Sequence, residues 1–245
     1  MTGSGKRVPI FNVPSAVVAV LGVMVAVHVV RQFLSEEDEV WLLLALAFIP
    51  ARYAGVAAEL PGGETASITS FLTHMLVHGD LTHLLFNAAW LLAFGGAIAQ
   101  RVGSARFLAF AILTGFAGAA AFLAVNPGLL APMIGASGAI AGLMGGAMRF
   151  VFSAIDRGGF GELRENPAGV PLMPLGAALT DRRILLTTGL WLMVNALALL
   201  GLGGVESGTG IAWEAHIGGY FAGLVLFGLF DRPTSRPARE IQSFH

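Results

Sequence analysis

The fold class is decided by one long apolar stretch, FLAFAILTGFAGAAAFLAVNPGLLAPMIGASGAIAGLMGGAM at residues 107–148, whose 42 residues include no Asp, Glu, Lys or Arg. A helix needs about 20 largely apolar residues to cross the hydrocarbon core of a bilayer. The stretch is therefore too long for one crossing, and Asn126-Pro127-Gly128 breaks it near its middle. It predicts two consecutive membrane-spanning helices joined by a turn.

The composition of the whole chain agrees with a membrane protein. Of its 245 residues, 56% are hydrophobic and 12% are charged, whereas an average soluble domain carries about 25% charged residues. These values exclude a disordered protein, a nucleic-acid binder and an ordinary soluble enzyme. The chain has no cysteine, which excludes disulfides, thiolate catalysis and cysteine metal sites.

Four further segments outside the long stretch are long and apolar enough to cross a membrane. They are Pro9–Val30, Leu81–Gln100, Ile184–Leu202 and Ile211–Phe230. The sequence therefore predicts an all-α, polytopic helical bundle of six transmembrane helices. The segment Trp41–Pro50 is too short to cross, and we expect it to lie in the interface or to pack against the bundle.

The basic residues predict the orientation of this bundle. If the N-terminus is cytoplasmic, 12 of the 14 Lys and Arg residues face the cytoplasm, and only Arg31 and Arg52 face outward. Both termini are therefore expected inside. The first loop, Arg31–Leu72, is then external and, being partly apolar, is expected to be structured. The second loop, Val151–Arg183, is cytoplasmic and is expected to be a plain connector.

Polar residues within the predicted spans are candidates for function, because they are costly in lipid. They are His83, Asn87, Ser137, Asn195, His216 and, near the outer end of its span, Glu214. From the helical rise, Ser137, Asn87 and His216 lie roughly 18, 21 and 22 Å above the first cytoplasmic charge after their spans. In a core about 30 Å thick, this places them in one layer nearer the outer surface. Asn195 is expected to form a hydrogen bond between helices.

Small residues would let two of these helices approach each other closely. The fourth span carries Gly138-x-x-x-Gly142, and the sixth carries Ala215-x-x-x-Gly219-x-x-x-Gly223. If these faces meet, Ser137 and His216 come within reach, and a serine beside an imidazole is the minimal activated nucleophile.

The second span carries two more polar side chains that suit the same chemistry. His83 and Asn87 are four residues apart and so share one face of their helix. From that face both could donate hydrogen bonds to an oxyanion.

Three motifs resemble those of the rhomboid intramembrane serine proteases. They are His78-x4-His83-x3-Asn87, Gly135-Ala136-Ser137-Gly138 and Ala215-His216-x2-Gly219-x3-Gly223. The resemblance implies that Ser137 is the nucleophile and His216 the general base, in a dyad without an acidic third member. It also implies an oxyanion hole made by His83, Asn87 and the Ser137 amide.

The same resemblance implies supporting roles for further residues. His78 would support the site, as would the motif glycines Gly135, Gly138, Gly219 and Gly223. The fifth span and the loop Gly203–Gly210 would form a mobile gate for substrate entry.

Two positions depart from the family's pattern. Members often carry a Trp-Arg pair in the first loop, and Arg52 is the nearest candidate here. Members also often have an aromatic residue four positions after the serine, where this chain has Ala141. Trp213, one turn before His216, could supply packing instead.

Together these observations predict three parts of the chain: a cytoplasmic segment at 1–12, a rhomboid-like six-helix membrane domain at 13–230 and a cytoplasmic tail at 231–245. The expected activity is hydrolysis of membrane proteins in or near their transmembrane segments. The expected partners are transmembrane substrates and the lipid bilayer, with no nucleic acid, metal or cofactor. The expected location is a bacterial inner membrane, with the active site opening to the outer face.

Other interpretations of the same residues stay open at this point. An inactive rhomboid-like protein would bind transmembrane helices without cutting them. A small-solute transporter or channel would carry ionisable residues along a whole membrane path, whereas here they cluster in one layer. A metal site at His74 and His78, which are four residues apart, would lack the H-E-x-x-H pattern.

Overall fold

The computed structural model describes residues 13–159, 161, 163, 167–199 and 212–231. Ten α-helices are named here in chain order within these ranges. They are α1 (Ser15–Arg31), α2 (Glu36–Leu46), α3 (Gly63–Thr73), α4 (Leu81–Trp90), α5 (Gly96–Val102), α6 (Ser104–Val125), α7 (Ser137–Gly158), α8 (Leu175–Ala178), α9 (Arg182–Leu199) and α10 (Trp213–Phe230). Short 3-10 turns occupy Pro50–Ala54, Ala57–Glu59, His74–Leu76 and Pro167–Gly169. The predicted polytopic helical bundle is confirmed.

Four helical segments in the described part of the chain are long and apolar enough to cross a membrane. They are Leu81–Val102, in which a π-helical turn joins α4 to α5, and the helices α6, α7 and α10. The helix α1 is also apolar but has 17 residues. The predicted break at Asn126-Pro127-Gly128 is confirmed, because α6 ends at Val125 and α7 begins at Ser137. The full count of six spans stays a prediction.

The helix α7 lies at the centre of the bundle. In its most apolar 18 residues 78% are buried, against 33% to 39% in the other three spans. It packs against both α6 and α10, and its glycines let these neighbours come close. A methyl group at Gly142 would overlap Thr114 of α6, and one at Gly145 would overlap the Tyr220 carbonyl of α10. Because α7 packs against both α6 and α10, the position of its first residue, Ser137, is fixed relative to these two helices.

The loop between α1 and α4 is structured, as its apolar content predicted. Phe48 and Met133 exchange two backbone hydrogen bonds of 3.0 and 2.9 Å, which join this loop to the segment before α7. Arg52 is buried and donates to the carbonyls of Leu44 at 2.8 Å and Pro61 at 2.7 Å. This arginine therefore holds the loop together by binding one carbonyl at the end of α2 and one just before α3.

The loop between α7 and α9 was expected to be a plain connector, and for its described residues that expectation is wrong. Arg101 donates to the carbonyl of Val170 at 2.8 Å and forms a two-pronged ion pair with Asp231. Arg149 donates to the carbonyl of Met173 at 2.7 Å. Both arginines are buried, so they hold this segment against the bundle.

Candidate active site

The Ser137 side chain is presented by a tight turn at the start of α7. Gly135 has a φ of +111°, a region open to glycine but unfavourable for other residues. Its amide donates to the His74 carbonyl at 2.8 Å, which fixes the turn against the end of α3. Ser137 is the first residue of α7, and the first amides of a helix have no carbonyl partner within it. The turn therefore places the Ser137 hydroxyl next to backbone N–H groups that have no partner within the helix.

Close contact between α7 and α10 brings the second polar group to this place. A methyl group on Gly219 would overlap the carbonyl oxygen of Gly138, and one on Gly223 would overlap that of Gly142. The two backbones therefore touch through the small-residue stripes that the sequence pointed to. His216 lies one turn before Gly219 on α10 and faces the start of α7.

The contact that results joins the serine to the histidine. The Nε2 atom of His216 lies 2.7 Å from the Oγ atom of Ser137. This is the normal length of a hydrogen bond to a hydroxyl. If Nε2 carries no proton, it can accept the hydroxyl hydrogen, as a general base must. Both side chains are half-buried, so the pair is shielded but still accessible.

The other ring nitrogen of His216 has a partner on a third helix. Its Nδ1 atom lies 2.6 Å from the Oδ1 atom of Asn195, on α9. The Nδ2 atom of Asn195 donates to the carbonyl of Trp191 at 2.8 Å. The predicted interhelical hydrogen bond of Asn195 is therefore confirmed. That its partner is His216 was missed, because nothing in the sequence tells which way α9 turns this side chain.

The helix α4 carries His83 and Asn87, and it places the His83 ring beside the turn that precedes Ser137. Asp80 caps this helix by accepting the His83 amide at 2.8 Å, and α4 begins at Leu81, as predicted. A methyl group on Gly135 would lie 2.7 Å from Nε2 of His83, so this imidazole abuts the turn before Ser137. The Asn87 side chain is buried and donates one hydrogen bond of 3.0 Å to the His83 carbonyl.

His78 is fully buried behind His83. The two imidazole rings are 5.0 Å apart, edge to face, and the His78 carbonyl accepts a hydrogen bond of 2.6 Å from Arg31. His78 therefore packs against the ring of His83 instead of facing Ser137. Of the supporting glycines, Gly135 shapes the turn, while Gly138, Gly219 and Gly223 form the helix contact.

The aromatic group beside His216 differs from the one expected. Trp191 of α9 has its ring centroid 6.4 Å from that of His216 and stacks on Tyr220 at 4.9 Å. Tyr220 in turn shares a hydrogen bond of 2.5 Å with Thr188. Packing on His216 thus comes from the neighbouring helix, and the interpretation that Trp213 supplies it was wrong. The gate loop expected at Gly203–Gly210 lies outside the described residues.

A family model matches the part of the chain that carries these residues. The model of the Rhomboid domain matches residues 65–232, which is more than half of the chain. The match begins within α3 and extends past the end of α10, so it includes every helix that contributes a polar side chain to the site. On this match, together with a polytopic helical bundle, the chain belongs to the rhomboid family.

Proposed function

We propose that this protein is an intramembrane serine endopeptidase, in which Ser137 is the nucleophile and His216 the general base. The observation that carries the proposal is the 2.7 Å contact between Ser137 Oγ and His216 Nε2. A bundle held together by packing alone has no need of this polar pair. Both residues could be replaced by apolar ones, which membrane helices tolerate better.

The proposed reaction has two steps, in which an ester forms on Ser137 and is then hydrolysed. His216 accepts the hydroxyl proton as Ser137 Oγ attacks the substrate carbonyl carbon, and it then gives that proton to the leaving amine. This step breaks the peptide bond and leaves an ester on Ser137. A water molecule, deprotonated by His216, attacks the ester, and the acid product leaves with Ser137 restored.

The negative charge on the substrate oxygen is stabilised by donors at the turn. The Ser137 amide is one of these, because it begins α7, where the helix dipole also favours a negative charge. An asparagine side chain has two N–H groups, and the bond to the His83 carbonyl uses one of those on Asn87. The second, with the His83 imidazole, completes the proposed oxyanion hole.

We further propose that the site opens to the outer face of a bacterial inner membrane, with both chain ends in the cytoplasm. In support, Ser137 and His216 lie at the N-terminal ends of α7 and α10, whereas Arg101, Arg149 and Asp231 lie toward the other end. Basic residues favour the cytoplasmic side. The proposed substrates are transmembrane proteins whose helices unwind readily near the cut, since a helix hides its carbonyls in hydrogen bonds.

The test is cleavage of a generic transmembrane substrate in detergent, together with covalent labelling by a fluorophosphonate. We expect the wild type to cut and to be labelled, and Ser137→Ala to do neither. The matched control is Ser153→Ala, on the same helix roughly 24 Å away along its axis, which should behave like the wild type.

Two results would count against the proposal. If Ser137→Ala cuts as fast as the wild type, Ser137 is not the nucleophile. If the folded wild type neither cuts nor is labelled, the chain is an inactive rhomboid-like protein that binds transmembrane helices.

A further inference from the structure

The hydrogen bonds around His216 continue beyond the two proposed catalytic residues. They run from Ser137 on α7, through both nitrogens of His216 on α10, to Asn195 on α9. The series ends at the carbonyl of Trp191, which accepts from Asn195 Nδ2. Three helices therefore contribute one polar side chain each to a continuous series of contacts.

The direction of these bonds can be worked out from the end of the series. A carbonyl oxygen only accepts, so the atom of Asn195 that faces the Trp191 carbonyl must be the donating Nδ2. The atom that faces His216 is then Oδ1, which only accepts. Hence Nδ1 of His216 must carry a hydrogen. In a neutral imidazole this leaves Nε2 free to accept the Ser137 hydroxyl, which is the form a general base requires.

The geometry points to Asn195 as a positioning residue that selects this form of His216 and holds its ring toward Ser137. The inference rests on the proposed protease function. It extends that function, because the orientation of the general base, His216, then depends on how α9 packs against α10. Asn195 belongs to α9, whereas Ser137 and His216 belong to the tightly packed α7 and α10. An amide is neutral, so it orients the imidazole without supplying the negative charge of a carboxylate.

The packing of α9 supports this dependence. Thr188, Trp191 and Asn195 lie at positions i, i+3 and i+7, which share one face of a helix, and all three contact α10. The intervening residues Leu190 and Val194 are exposed, at 59% and 54% of their surface. One face of α9 therefore makes all these contacts, and moving or rotating the helix would remove Asn195 from His216.

The test compares three variants in detergent with the same transmembrane substrate. Asn195→Leu has nearly the same shape but no acceptor, and Asn195→Asp keeps an acceptor oxygen. Val194→Ala is the matched control on the exposed side of α9. We expect Asn195→Leu to lower kcat by about 10- to 100-fold with little change in KM, since orienting the base acts on the chemical step. Asn195→Asp should keep most of the wild-type kcat.

A second readout does not depend on activity. Nitrogen-15 NMR of labelled histidine, assigned by the loss of signals in His216→Gln, reports which ring nitrogen carries the hydrogen. We expect protonated Nδ1 in the wild type and a shift toward protonated Nε2 in Asn195→Leu. An unchanged tautomer in Asn195→Leu, or an unchanged kcat, overturns the role of Asn195. Failure of the wild type to cut while the tautomer shifts as expected overturns the protease proposal instead.

Discussion

The contact between α7 and α10 allows a graded prediction, because its glycines differ in how much room a methyl group would find. On Gly219 the added carbon would overlap the Gly138 carbonyl oxygen, and on Gly138 it would lie 3.3 Å from the Ala215 carbonyl oxygen. On Gly22 of α1 it would meet nothing within 4 Å. Substitution by alanine should therefore lower the rate of cleavage strongly at Gly219, mildly at Gly138 and not at all at Gly22.

The magnitude follows from the geometry of the contact. A carbon atom normally stays about 3.3 to 3.6 Å from a carbonyl oxygen, so Gly219→Ala must push α10 away from α7 by about 1 Å or more. Overpacking of this kind typically destabilises a protein by about 1–3 kcal/mol. The displacement also acts on the 2.7 Å contact between Ser137 and His216. A misplacement of about 1 Å can lower a rate about 100-fold.

The assay is the initial rate of substrate cleavage by Gly219→Ala, Gly138→Ala and Gly22→Ala, with the rate of fluorophosphonate labelling as a second measure of Ser137 reactivity. Size-exclusion elution and helical circular dichroism check that each variant is folded. We expect a loss of about 100-fold for Gly219→Ala, a smaller loss for Gly138→Ala and none for Gly22→Ala. A folded Gly219→Ala variant with the wild-type rate would refute the inference that backbone contact sets the distance between the two side chains.

Three further predictions concern polar groups that stabilise the fold. Arg101→Met should lower the free energy of unfolding by up to about 3 kcal/mol, because the partly buried Asp231 carboxylate loses its ion-pair partner; a thermal midpoint equal to that of the wild type would contradict this. Arg52→Met should expose residues 47–62 to limited proteolysis, because three carbonyls lose their donor; resistance like that of the wild type would show that the loop keeps its structure without these hydrogen bonds. Burial lowers the pKa of His74 to about 4, so between about pH 4 and 6.5 the unfolded chain binds a proton that the folded chain does not. Stability should fall by about 3 kcal/mol as the pH decreases through this window, and less in His74→Gln; equal slopes for the two proteins would count against it.

Much of the bundle was predictable because its determinants are local. Apolar length locates spans, and the Asn126-Pro127-Gly128 turn separates α6 from α7, because consecutive Asn, Pro and Gly favour a turn over a continuing helix. The small-residue stripes of α7 and α10 could also be recognised, since they permit close backbone approach in lipid. If the two stripes meet, Ser137 and His216 come within reach of each other, and in the structure the two side chains are 2.7 Å apart.

Other features depend on the rotation and lateral order of helices. The arginines Arg101 and Arg149 have the pattern of ordinary cytoplasmic charges, yet they bind carbonyls from a segment that was expected to be a plain connector. Likewise the ring beside His216 is Trp191 of α9, not Trp213 of its own helix. Each of the contacts made by Arg101, Arg149 and Trp191 joins residues far apart in the chain, and hydropathy does not specify such pairs.

The order of amino acids alone was enough to predict a membrane-embedded helical bundle, the polar residues able to carry chemistry, and a serine and a histidine in one layer. The pairing of Asn195 with His216, in contrast, emerges only when the helices are packed together. Successive residues of a helix point about 100° apart, and lipid makes every apolar face of α9 equally acceptable. The rotation of α9 is therefore set by the contacts that it makes with α10, and no local pattern in the chain encodes those contacts.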